Sequence, residues 1–187
     1  MLDVVVHLHD TPSMKTPSMK NVRVAAVLIT LLAPITCVTR LAGQTAPEIK
    51  LAVTGDVTTP LTLSASDLAA MPREHVEMKL EDGTKAAYDG VALQAILAKA
   101  GVATGHIRGK MLSGYVLAEA KDGYEVVFSI GELGADFGNT RVIVADTQDG
   151  KPLVGNKGPL RVVVPSDKEE ARSVRMLENL EVVQLRK

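Results

Sequence analysis

Along much of this chain apolar and polar residues alternate with a period of two, the pattern of short strands that turn one face inward. Ile49, Leu51 and Val53 share a face in "IKLAVTG", and after a turn at Gly55-Asp56 the chain resumes as a second strand at "LTL". In "REHVEMKLEDG", Val76, Met78 and Leu80 lie on one side and His75, Glu77 and Lys79 on the other. Asp82-Gly83 follows, a dipeptide favoured by type I′ hairpins because both turn residues need positive φ. "MLSGYVLAEAKDGYEVVFS" predicts two strands joined at Lys121-Asp122-Gly123, and "RVIVADTQDGKPLV" a hairpin around Gln148-Asp149-Gly150. "PLRVVVP" is a continuous apolar run, as in a buried strand, and "LENLEVVQL" predicts a last strand.

Helical spacing is rarer. "VALQAILAKAG" places Val91, Leu93, Ile96, Leu97 and Ala100 on one broad stripe, with Gly101 where a left-handed C-cap belongs. Ser64 or Ser66 caps a brief helix in "DLAAM" that Pro72 ends, and "IGELGADFG" is a short helical turn or loop. "SDKEEARSVR" predicts a short solvated helix with Ser166 or Asp167 at its cap. Many short strands with few short helices make an α+β or mainly β domain.

The first 43 residues carry a different pattern. Lys20 and Arg23 precede the apolar run Val24 to Ile35, and "TCVTRLAGQ" follows, the order of charge, apolar core and cleavage zone in an export signal. The expectation is therefore a signal peptide with an upstream extension over residues 1–43 and one domain over 44–187, exported to a periplasmic or extracellular space. A membrane enters only if that segment stays attached. Removing it takes four basic and two acidic residues from totals of 21 and 22, which leaves a net charge of −3. Such a surface, with no Trp and few aromatic side chains, lacks the basic footprint and stacking platforms of nucleic-acid binding. It also removes Cys37, the one cysteine, so the remaining domain has no disulfide, no thiolate ligand and no cysteine nucleophile.

Four phrases in order, "LAVTGDVTTPLTLSASDLAAMP", "YDGVALQAILAKAG", "AKDGYEVVFS" and "DGKPLVGNKGPLRVVVPSD" with "SVRMLENLEV", resemble the molybdopterin-binding oxidoreductase domain of the sulfite oxidase type. The resemblance covers almost all of Ile49 to Val183. It implies an α+β fold of mixed, short-stranded sheets, in which large members hold a molybdenum cofactor in a deep pocket. It also implies a cysteine thiolate on molybdenum, between the third strand and the helix that begins at "DGV". Here that interval is "EHVEMKLEDGTKAAYDG", with no cysteine, and Thr84 would be a hard hydroxyl in place of a soft thiolate. Molybdopterin is thus a cofactor by resemblance alone, and the expectation is a domain without one.

Candidate binding residues cluster in two places. Gly155-Asn156-Lys157-Gly158 with Arg161 offers amide and cationic donors to a phosphate or carboxylate. The competing reading is a hairpin in which the glycines serve the turn and Arg161 pairs with a neighbouring acid. Tyr124, after Asp122-Gly123, either follows a turn or directs its hydroxyl into a cleft. Tyr124, Asn156, Lys157 and Arg161 are therefore the expected ligand contacts, with Arg172 and Arg175 available to extend an anion patch. His75 and His106, with Met71, Met78, Met111 and Met176, show no tight ligand spacing, and no metal site is expected. No catalytic motif or acid and base pair stands out.

These readings converge on a domain that has lost its metal ligand and serves as a binding or accessory module for a small anionic ligand or a partner protein. Two alternatives differ in class. One is an oxidoreductase that holds its molybdenum pterin through non-cysteine contacts or a partner subunit. The other is a structural or interaction protein.

Overall fold

The computed structural model describes residues 48–186. Ten strands form two five-stranded sheets, with three short helices among the described residues. The first sheet contains β1 (Lys50–Gly55), β2 (Leu61–Ser64), β5 (Gly114–Ala120), β6 (Glu125–Ser129) and β10 (Leu177–Gln184). Their spatial order is β2-β1-β10-β5-β6, and only the β1–β10 pairing is parallel. The second sheet holds β3 (Arg73–Lys79), β4 (Lys85–Ala92), β7 (Ile143–Gln148), β8 (Lys151–Pro152) and β9 (Arg161–Val163). All its pairings are antiparallel, and both β8 and β9 pair with β7.

Helix α1 (Ala65–Ala69) starts in a capping box, in which Ser64 and Asp67 each accept from the other's backbone amide. Helix α2 (Leu93–Lys99) buries Leu93, Ile96 and Leu97 completely, each contributing about 1.5–3 kcal/mol over its exposed state. Its end is a Schellman closure: Val102 donates to Leu97, Gly101 donates to Ala98, and Gly101 has φ of 82°. Helix α3 (Ile130–Leu133) is a single turn capped by Ser129.

The main core lies on the inner face of the first sheet, where Leu51, Val53, Val116, Phe128, Leu180 and Val182 meet the helices and one face of the second sheet. A smaller cluster, with Tyr88, Val76, Met78, Ile143, Leu153 and Val163, covers the opposite face of the second sheet. Successive residues of β7 and β9 therefore join different clusters: Val144 and Val162 enter the main core, Ile143 and Val163 the smaller one. That two-sided burial accounts for the unbroken apolar run in "RVVV".

Two sequence expectations are corrected. Asp149-Gly150 is a type I′ turn, with φ of 50° and 73°, but at Asp82-Gly83 only the glycine has positive φ. There Leu80 donates to Thr84 and Gly83 to Leu80, while the Asp82 carboxylate accepts from the Thr84 amide and hydroxyl at 2.9 and 2.6 Å. That local acceptor favours a longer loop in which Asp82 keeps a right-handed conformation. "SDKEEARSVR" is not a helix beyond one 3₁₀ turn at Glu170–Arg172. Val174 is drawn into the main core and accepts from the Val162 amide, and Asp167 clasps Arg172 in a bidentate pair at 2.8 Å instead of capping a helix.

Candidate functional site

A cleft of about 540 Å³ opens where several connections converge. Glu81 comes from the β3–β4 turn, Asp122 and Tyr124 from the β5–β6 turn, Asn156 from the 3₁₀ turn Gly155–Lys157, and Glu169 to Met176 from the segment before β10. Tyr124 is half-exposed, and its hydroxyl donates to the Ala171 carbonyl at 2.7 Å, tying the turn to the far wall. Asp122 shapes the turn by accepting from the Tyr124 amide at 3.1 Å.

Behind the cleft lies a buried polar network. Arg161 on β9 is 2% exposed. It donates to the Tyr88 hydroxyl at 3.0 Å and to the Glu170 carboxylate, while its Nε has no hydrogen-bond partner among the described residues. Glu170 also accepts from the Glu81 amide at 3.2 Å. Burial pushes the Glu170 carboxyl upward, but the hydrogen bonds from Arg161 and Glu81 and the Arg161 charge outweigh it and hold Glu170 below the usual carboxylate range. Burial raises the Tyr88 phenol, only partly offset by the Arg161 charge, so Tyr88 is neutral where it accepts from the guanidinium.

The segment that carries this wall is held in an unusual conformation. Met176 has φ of 51°, which costs a non-glycine residue roughly 1–2 kcal/mol. Two flanking backbone bonds retain it: Lys121 donates to Met176 at 2.9 Å and Leu177 to Leu160 at 3.0 Å. Met176 also borders a second cleft of about 700 Å³, lined by Lys50, Lys121, Glu48 and Glu178 and by the backbone around Gly155 and Gly158.

The expected contacts are thus separated by the fold. Tyr124 and Asn156 line the first cleft, Lys157 is exposed and lines neither, and Arg161 sits behind the wall in an ion pair. Gly158 is explained by packing, since a Cβ there would lie 2.3 Å from the Leu153 carbonyl oxygen. The wider anion patch is divided as well: Arg172 is engaged by Asp167 and Glu132, which leaves Arg175 as the cation in the cleft. Sequence reading weighed Met176 only as a metal ligand and passed over Glu81, Glu169 and Glu170. Only the acidic run "DKEEA" signalled any of them, and it also fits a solvated helix. His75 and His106 bond separately to Asp89 and Asp136, each at 2.8 Å. Among the described residues no three His, Cys, Asp or Glu side chains gather as a metal site, and no helix is long and apolar enough to cross a membrane.

Fold and order of elements are those of an α+β domain of the sulfite-oxidase-like, molybdopterin-binding class. The chain belongs to the family described as "Oxidoreductase molybdopterin binding domain", which matches residues 39–187. Among solved structures it is similar to the sulfane dehydrogenase SoxCD from Paracoccus pantotrophus, at 22% identity and a TM-score of 0.56. That match covers 71% of this chain and 37% of the other, so the chain spans just over a third of its length. No curated protein sequence matches.

The first cleft does not fit the cofactor the family implies. Residues 48–186 contain no thiol, and the first cleft sets Glu81, Asp122, Glu169 and Glu170 against Arg175 alone. With Glu170 already paired to Arg161, the carboxylates of Glu81, Asp122 and Glu169 beside Arg175 oppose a phosphate-bearing, metal-dithiolene anion.

Proposed function

We propose that this chain is an exported accessory or ligand-binding domain built on the molybdopterin-binding oxidoreductase fold and working without molybdenum redox catalysis. The observation that carries this reading is the cleft between Tyr124 and Glu170: acidic in its lining, backed by an ion pair that already occupies Arg161, and without a sulfur anion. Its carboxylates, the Asn156 amide and the Tyr124 ring suit a neutral or cationic ligand held by hydrogen bonds. The lining charge weighs against the small anionic ligand suggested by the sequence. The signal-like order of residues 1–43 supports export, and with it loss of Cys37 from the working chain.

Elemental analysis and pterin fluorescence of protein purified from its native compartment test this reading. Molybdenum far below one atom per chain is the expected result. One tightly held atom per chain, together with a pterin, would overturn the reading in favour of a molybdenum oxidoreductase using non-cysteine contacts.

A further inference from the structure

Among the described residues the first sheet is covered on one face only. Its strands alternate, so Tyr115 and Leu117 on β5, Val127 on β6 and Val183 on β10 all project from the face opposite the core. Register makes them one patch: Leu117 lies opposite Val127, and Tyr115 lies opposite Val183. No described element buries them; Val127 is 51% exposed and the other three are partly exposed. None of the four lines either cleft.

The rim of this patch is acidic. Glu181 lies opposite Leu117, and Glu119 lies opposite Glu125 across β5 and β6. Like charges directly opposite each other destabilise a sheet. Among the described residues none of these three glutamates has an ion-pair partner, and Glu119 is met only by the Asn179 amide. At the far end of the sheet Arg186 is already paired with Asp56 at 2.6 Å.

From this face we infer a docking surface for an amphipathic helix of a partner protein, with an apolar stripe flanked by lysine or arginine. An apolar sheet face is completed by a packed helix layer, and a basic flank would neutralise the opposed Glu119 and Glu125. A second copy of this chain would bring two acidic rims together, and an anionic lipid surface would meet the same repulsion.

The test uses a synthetic leucine–lysine amphipathic helix and its leucine–glutamate counterpart, titrated into the isotope-labelled protein. The expected result is binding of the lysine peptide alone, with amide shifts centred on β5, β6 and β10. Glu125→Lys should raise the thermal midpoint of the free protein, because it removes the like-charge pair, yet weaken the peptide about tenfold. Val127→Ser, at an exposed position, should weaken it without unfolding the domain. Shifts centred on the clefts, affinity unchanged by Glu125→Lys, concentration-dependent dimers through this face, or binding to anionic vesicles would each overturn the proposal.

Discussion

The two sheets of this domain bury their residues by different rules. In the second sheet β7 and β9 are covered on both faces, and even the charged Arg161 is taken inside with Glu170 and Tyr88 as partners. In the first sheet only alternate residues are buried, and the rest, Val127 and Leu117 among them, face outward. Burial is therefore two-sided at β7 and β9, while among the described residues the first sheet packs its inner face into the main core and leaves its outer face uncovered.

The comparison breaks most sharply at Arg161. Arg161→Leu leaves Glu170 as a largely buried carboxylate without its cation and should cost about 3–5 kcal/mol, read as a shift in the urea midpoint. Ile143→Ala, in the doubly covered β7, should cost about 2–5 kcal/mol by the same measurement. Glu170 sharpens the contrast through pH. Its folded value lies below 4.5, so its contribution is complete at higher pH and is lost as pH falls through the folded value. Asp146, held down by Arg73 despite burial, acts in the same direction. Stability should therefore decline on acidification below about 4.5, and Glu170→Gln should flatten part of that decline. The smallest effect is expected on the outer face of the first sheet, where Val127→Ser should change stability by less than about 0.5 kcal/mol.

Much of the fold was legible because local chemistry and tertiary structure agree. The capping box at Ser64 and Asp67, the glycine closure after α2, the alternation of β3 and the Asp149-Gly150 turn each satisfy their own backbone within a few residues. The site was less legible because its geometry depends on distant partners. Arg161 finds Tyr88 from 73 positions away and Glu170 from 9 positions away, so no spacing rule separates a ligand-facing arginine from a buried one. The 166–175 segment misled for a related reason: its charges suit a helix surface, yet Val174 and the Asp167–Arg172 clasp bind it to the rest of the domain as irregular backbone.

The position of β10 has a consequence for how the chain becomes a domain. It runs parallel to β1 and is inserted between β1 and β5, so the β1–β2 and β5–β6 hairpins touch across the sheet only through it. A chain stopped before Leu177 would hold two disconnected hairpins with raw inner edges. Assembly of the first sheet must wait for Leu177–Gln184 to be synthesised.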